Sequence, residues 1–198
     1  YTEALHSIER KPKPMLQQGE ITSTDVQPQS VPVTWERNGR GHVVLTVTGL
    51  GLSGVEEISR LEANYHVSDF ARELLSYHDY QNSRMLSDES RRAVVMPGDE
   101  IEFLEKRTPQ NLLDRGLGVC GYKAPIAEFV PRLRELLSDE QLEELGLDYV
   151  SALQPLTAAT CRVGVLLVDR KTVARSVRAR PPRSLHPLPK FGGFLFAL

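Results

Sequence analysis

The chain lacks the short motifs that carry most thiol, metal and serine chemistry. Its 198 residues include two cysteines and one tryptophan, and H-E-x-x-H, C-x-x-C and G-x-S-x-G do not occur. One cysteine pair is not a disulfide framework, so Cys120 and Cys161 are expected to be free, buried thiols. The longest apolar run, within residues 163–168, is too short to span a membrane, so no transmembrane segment is expected.

Acidic residues are almost missing from the C-terminal part of the chain. Residues 162–198 contain eight Lys or Arg and one acid, Asp169, whereas residues 1–161 contain 16 Lys or Arg and 25 Asp or Glu. A basic end on an acidic body is compatible with a nucleic-acid arm, a surface for acidic partners or a tail that docks on its own body. Aromatic residues for base stacking are scarce there, so nucleic acid is not expected to be the main partner.

The first 40 residues differ in composition from the rest. They are polar and interrupted by prolines, which predicts an extended arm over residues 1–40. Trp35 is interpreted as the point where this arm begins to pack on a domain formed by residues 41–198.

Helical patterns dominate the first half of that domain and strand patterns the second, which predicts an α+β fold. Ser53, Ser68 and Ser138 are placed to cap helices, and Pro131 interrupts a helical pattern. The helices are expected at residues 55–63, 68–75, 124–137 and 139–145, and the strands at residues 42–48, 93–96, 101–104, 149–154, 162–168 and 193–197.

A glycine loop follows the first strand pattern. Residues 49–54 match G-x-G-x-x-G between a strand and a helix, the arrangement in which backbone N–H groups can hold a pyrophosphate. No second strand ending in an acid follows at the required distance, because Asp69 lies in the first turn of a helix. A plain strand-to-helix turn is therefore favoured, and a dinucleotide-binding enzyme is the alternative.

The composition of residues 169–191 is restricted in a way that codons explain. All of its residue types except lysine, at Lys171 and Lys190, have codons that end in a pyrimidine. An asparagine codon ending in C, randomised at its two adenines, would produce such a set. A chance run of Arg and Pro in a GC-rich gene is the competing interpretation.

Residues 49–198, including the stretch of restricted composition, resemble the variable proteins of diversity-generating retroelements. The resemblance is carried by TGLGLSGVEEISRLEANYHVSDFARELL, by RAVVMPGDEIEF, by LRELLSDEQLEELGLDYVSALQPL and by the closing GGFLFAL. The chain departs from that family at Glu57, Ser176 and Leu188, where the relatives often have tryptophan.

The resemblance implies a C-type-lectin-like fold: a small antiparallel sheet with several helices, in which the N- and C-terminal strands pair. It also implies a non-enzymatic binding protein without cofactor or metal, diversified by adenine-specific mutagenesis over about residues 169–191. A tolerant face must not carry the stability of the fold, so Val165, Leu167, Phe194 and Phe196 are expected to stay buried.

The candidate ligand-binding residues are long, hydrogen-bonding or apolar side chains that could act as anchors. They are Arg170, Arg175, Ser176, Arg178, Arg180, Pro182, Arg183, Ser184, Leu185, His186, Leu188 and Phe191. Because its prolines remove backbone donors, this stretch is not expected to form a central strand. Eight of its side chains are expected on one exposed face: Arg175, Arg178, Arg180, Arg183, Ser184, Leu185, His186 and Leu188. The ligand is expected to be a protein or glycan, and the basic face favours an acidic one.

Overall fold

A computed structural model describes residues 34–170, 176–181, 188 and 190–198 of the chain. Within this part the fold is mixed α+β. Its strands are β1 (Trp35–Arg37), β2 (Val43–Thr48), β3 (His66–Val67), β4 (Ser90–Pro97), β5 (Tyr149–Ala152), β6 (Leu156–Thr157), β7 (Val163–Asp169), β8 (Ser176–Arg180) and β9 (Gly192–Ala197). Its helices are α1 (Gly54–Glu62), α2 (Asp69–Ser76), α3 (His78–Gln81), α4 (Pro109–Asp114), α5 (Phe129–Leu136) and α6 (Asp139–Glu144). Short 3-10 turns lie at Gly98–Glu100 and Leu104–Lys106, and a π-helical turn at Arg115–Val119 follows α4.

The helices begin where their capping residues predict. Ser53, Ser68 and Ser138 each accept a hydrogen bond from the backbone N–H three residues on, and Ser53 and Ser138 form complete capping boxes. The third predicted helix starts later than residue 124, at Phe129. Pro131 thus falls in the first turn, where a missing backbone N–H costs no helical hydrogen bond.

The described strands form one sheet in the order β1-β2-β4-β9-β5-β7-β8-β3, and β6 pairs with the start of β7. Neighbouring strands are antiparallel, except that β5 runs parallel to β9 and β3 runs parallel to β8. The predicted strands at residues 42–48 and 193–197 both lie in this sheet and both pair with β4.

The prediction that these two strands are immediate neighbours in a small antiparallel sheet is wrong. β4 lies between them, and the sheet contains two parallel pairs. Four consecutive residues of β4, from Ala93 to Met96, are buried. A strand that is apolar on both faces belongs inside a sheet rather than at its edge.

Two hydrophobic cores lie on opposite faces of the sheet. The first core packs β2, β4, β7 and β9 against α1, α2 and α5, and includes Leu61, Leu74 and Leu133. The second core contains Val165, Leu167, Phe194 and Phe196, which are buried as predicted. It is covered by the segment of residues 98–122, where Gly116 lies directly against the ring of Phe196.

A buried histidine joins the sheet to this covering segment. His42 precedes β2, and its two ring nitrogens lie 2.7 Å from the Tyr122 hydroxyl and 2.7 Å from Glu100 Oε1. Arg115 Nε donates to the other oxygen of Glu100 at 3.0 Å. Burial favours the neutral carboxyl, but the hydrogen bonds from His42 and Arg115 outweigh it and lower the pKa of Glu100.

Residues 101–104 do not form the predicted strand. The Arg107 guanidinium donates to the carbonyl oxygens of Ile101 at 2.6 Å and Glu102 at 2.9 Å. These carbonyls are therefore bonded to a side chain rather than to a neighbouring strand. The segment instead ends in a 3-10 turn at Leu104–Lys106.

The two cysteines are free, as predicted, but they are not buried. Cys120 is half-buried beside the second core, and Cys161 is exposed in the β6–β7 turn, where its φ is 59°. Residues 35–37, assigned to the arm from the sequence, already pair with β2, and Trp35 packs against the first core. The rest of the predicted arm, residues 1–33, lies outside the described residues.

Gly54 closes the glycine loop against α2. A Cβ built on Gly54 would lie 1.8 Å from the carbonyl oxygen of Leu75, a backbone atom that cannot move independently. We therefore expect Gly54→Ala to lower the free energy of unfolding by about 1–3 kcal/mol. Gly118→Ala is the matched control, since no atom lies within 4 Å of that Cβ position. Equal denaturation midpoints for the two variants would contradict this packing.

Four charged side chains meet between α1 and α5. Arg132 pairs with Glu57 and, at 2.6 Å, with Glu135, while the Glu128 carboxylate accepts hydrogen bonds from Leu50 N–H at 3.2 Å and Met85 N–H at 2.5 Å. Burial raises the pKa of Glu57 to about 7; Glu135 and Glu128 act in the same direction, and Arg132 opposes them. Glu57 therefore titrates close to neutral pH in the folded protein.

This raised pKa predicts a pH dependence of stability. The folded protein keeps a proton on Glu57 that the unfolded chain loses above pH 4.5, so stability falls as pH rises from about 4.5 to about 7. Glu57→Gln should flatten this fall in urea denaturation curves measured across the window. Glu144→Gln, at an exposed position on α6, serves as the control. An unchanged slope in the Glu57 variant would disprove the assignment.

Candidate binding face

Strand β8 lies within the stretch that was not expected to form a central strand, and that prediction is wrong, because β8 pairs with both β7 and β3. It pairs with β7 along its whole length, from Asp169↔Ser176 to Val165↔Arg180. Its sequence, Ser-Val-Arg-Ala-Arg, alternates polar and apolar residues with the period of a half-buried strand. That alternation overrides the prolines, which fall after the strand has ended.

Alternate residues of β8 have different roles. Val177 packs in the first core and Ala179 packs against it, on the helical side of the sheet. Arg178 lies opposite Leu167 and Arg180 opposite Val165, so both arginines share the other face with the second core. Their side chains remain 39 % and 47 % exposed, respectively.

The two arginines converge on one carboxylate. Arg178 Nη1 lies 3.5 Å and Arg180 Nη2 lies 4.0 Å from Asp169 Oδ2, and Asp169 is mostly shielded from solvent. Tyr149 on β5 lies directly across from Asp169 on the same face. We call these four residues the Asp169 cluster.

Tyr149 contributes a buried hydroxyl without a hydrogen-bond partner. Its ring lies over Gly192, where any side chain would collide with the phenol, and meets Phe194 edge to face at 6.0 Å between ring centroids. Burial raises the pKa of Tyr149, and the nearby charge of Arg180 acts against it. The hydroxyl is thus a neutral, unused donor at the base of the cluster.

The structure separates the described candidate residues into three groups. Arg178, Arg180 and Phe191 are accessible, and Lys190 lies over the Phe191 ring at 4.7 Å. Arg170 is not part of this face, because it bridges Asp148 at 3.2 Å and Glu143 at 2.9 Å and holds the end of β7 to α6.

Leu188 and Ser176 form the third group, and both are buried. The predicted exposure of Leu188 is wrong: its side chain packs in the second core, and its N–H donates to the Arg107 carbonyl at 3.1 Å. Apolar area removed from water outweighs any gain from an exposed leucine anchor. Arg175, Pro182, Arg183, Ser184, Leu185 and His186 lie outside the described residues.

Sequence reasoning did not identify Tyr149 or Asp169 as site residues. Asp169 was visible as the one acid among residues 162–198. Its position beside Tyr149 follows from strand register, which pairs residues distant in sequence.

The glycine loop is occupied by contacts within the protein. Leu50 N–H donates to Glu128, Gly51 adopts φ 64° beside Ser87, and Gly54 abuts Leu75. Strand β2, which precedes the loop, is antiparallel to both of its neighbours. A dinucleotide fingerprint requires a parallel βαβ unit and free N–H groups at the helix start.

His78 and the acids between residues 66 and 79 have partners within the protein. Asp69 pairs with Arg72, His78 lies 3.0 Å from Asp79, and Asp79 accepts a hydrogen bond from Thr157 N–H. In the described part of the chain, no group of three or more metal-ligating side chains is present, and no helix is long and apolar enough to cross a membrane.

No family model, curated protein or solved structure matches the chain. The class of protein therefore has to be argued from the geometry of β8 and its neighbours.

The burial of Leu188 and the exposure of Phe191 predict opposite mutational effects. Leu188 is 0 % and Phe191 49 % exposed. Leu188→Ala should lower the free energy of unfolding by about 2–5 kcal/mol, whereas Phe191→Ala should change it by about 0.5 kcal/mol or less. Chemical denaturation of both variants measures the difference. A tolerated Leu188→Ala would return this residue to the candidate face.

Proposed function

We propose that this chain is a non-enzymatic ligand-binding protein whose C-terminal stretch, about residues 169–191, supplies the binding face. The observation that supports this proposal most directly is the alternation of packed and solvent-exposed side chains along β8. Val177 and Ala179 pack on the first core while Arg178 and Arg180 between and after them reach solvent. A strand built in this way can change its exposed residues without loss of its own anchorage.

The chemistry of the face favours binding over catalysis. Arginine combines a long apolar stem with five donors, and it is enriched among residues that dominate interface energy. Phe191, which directly precedes β9, adds an exposed aromatic side chain. The rest of the chain carries the excess acid, so an acidic ligand meets attraction mainly at this end.

The proposal includes a C-type-lectin-like fold and diversification by a retroelement. Support for the fold is that β2 and β9, near the two ends of the domain, lie in one sheet on either side of β4. Support for diversification is the restricted set of residue types in residues 169–191, nearly all of which have codons ending in a pyrimidine, and the position of this stretch between the buried strands β7 and β9. The buried Ser176 and Leu188 would be the constrained positions of such a stretch.

The alternative function, a dinucleotide-binding enzyme, depends on residues 49–54. The internal contacts of that loop and the antiparallel neighbours of β2 are evidence against dinucleotide binding. If the proposal holds, saturating NAD or FAD should not raise the melting temperature. Ligand at a hundredfold excess over Kd would add about 2.7 kcal/mol of stability.

A pair of display libraries tests the tolerant face. One randomises the accessible Arg178, Arg180 and Phe191, and the matched control randomises the buried Ser176, Val177 and Leu188. Most members of the first library should fold and display, and selection should yield binders to unrelated protein targets. Most of the second should fail to display, because core substitutions cost several kcal/mol.

Two outcomes would contradict parts of the proposal. Equal loss of display in both libraries would make β8 scaffold only and remove the binding face. In the neighbouring DNA, the diversification hypothesis requires a reverse transcriptase and a repeat similar to the codons of residues 169–191. Their absence would overturn diversification and leave the binding function to the libraries.

A further inference from the structure

The charges of the Asp169 cluster do not balance. Two guanidinium groups, from Arg178 and Arg180, face one carboxylate, so the described side chains leave one positive charge uncompensated. The contacts of Arg178 and Arg180 with Asp169, at 3.5 Å and 4.0 Å, are ion-pair distances rather than the shorter bonds of an optimal bidentate pair. The arginine pair can therefore accept a better-placed anion.

We propose that Arg178 and Arg180 form a carboxylate-binding subsite that Asp169 occupies in the free protein, and that a side-chain carboxylate of an acidic peptide takes its place. This inference rests on the proposed binding function and names the chemistry of the ligand. Arg178 and Arg180 lie one pleat apart on the same face, so their guanidinium groups can approach one carboxylate together. Planar guanidinium groups match the geometry of carboxylates.

Tyr149 gives the displaced Asp169 a new partner. Tyr149 and Asp169 are cross-strand neighbours with Cβ atoms about 5 Å apart, but the Tyr149 hydroxyl lies over Gly192 on the other side of β5. The Tyr149 ring must therefore turn away from Gly192 before its hydroxyl can donate to the Asp169 carboxylate. In the free protein this hydroxyl is buried without a partner. The exchange thus satisfies a buried donor when the ligand binds, and Tyr149 acts as a positioning residue.

An acidic peptide is favoured over nucleic acid by what surrounds the arginines. The aromatic residue of the cluster, Tyr149, is only partly exposed and its hydroxyl is buried, so it offers little surface for base stacking. A single spare positive charge also matches one carboxylate better than a row of phosphates.

Binding of a fluorescently labelled oligoglutamate peptide at low salt tests the inference. Arg178→Gln and Arg180→Gln should each weaken binding about tenfold, as expected for lost hydrogen bonds to a charged group. Asp169→Asn should tighten binding about two- to fivefold, because it removes a partly exposed competing ion pair. Asp169→Ser provides a second test should the asparagine variant fold poorly.

The control is Arg72→Gln. Arg72 is 44 % exposed, similar to the two arginines of β8, but it lies between two carboxylates, Glu62 and Asp69, and has no charge to spare. Its replacement should leave peptide affinity unchanged. Equal weakening by Arg72→Gln would show attraction to overall charge and overturn the subsite.

Tyr149→Phe separates the exchange from simple electrostatics. It should lower the affinity for the peptide in the parent protein and leave the affinity unchanged in the Asp169→Asn background. Its free energy of unfolding should be unchanged or higher, because the lost hydroxyl has no hydrogen-bond partner. Additive effects, unchanged affinity in Asp169→Asn or no peptide binding would overturn the inference. So would tighter binding of a sulfated oligosaccharide. The display libraries decide the proposed binding function independently of these results.

Discussion

Strands β4, β7 and β9 bury side chains on both of their faces, and the other features of the fold follow from that requirement. One face needs the helices α1, α2 and α5, and the other needs the segment of residues 98–122. This second cover has little regular structure of its own. His42 attaches it to the start of β2 through Glu100 and Tyr122. The Arg107 guanidinium binds carbonyl oxygens within the segment itself.

Among the described residues, the side chains of β8 join a hydrophobic core only on its helical side. Val177 and Ala179 still pack against the first core, but on the opposite face Arg178 and Arg180 stand in solvent beside Val165 and Leu167. Desolvating an unpaired guanidinium costs several kcal/mol, so arginines at these positions keep that part of the sheet open. An open face on a rigid sheet holds its side chains in place and reduces the entropy lost on binding.

The balance of charge differs between the Arg132 group, which lies between α1 and α5, and the Asp169 cluster. Between α1 and α5, Arg132 is buried among Glu57, Glu128 and Glu135, and burial together with the excess of acids raises the pKa of Glu57 to about 7. In the Asp169 cluster the bases outnumber the acid at a partly exposed position. The first arrangement is expected to make stability depend on pH, and the second is the one proposed to bind a carboxylate.

The sequence by itself determined the local structure: the serine caps of α1, α2 and α6, the strands at residues 42–48, 93–96 and 193–197, and the burial of Val165, Leu167, Phe194 and Phe196. These depend on hydrogen bonds and periodicities that span a few residues. Only the tertiary structure decided the insertion of β4 between β2 and β9, the burial of Leu188, and the meeting of Tyr149 with Asp169 and the two arginines. Strand order and register bring together residues distant in the chain, and no local pattern encodes which partner covers an apolar side chain.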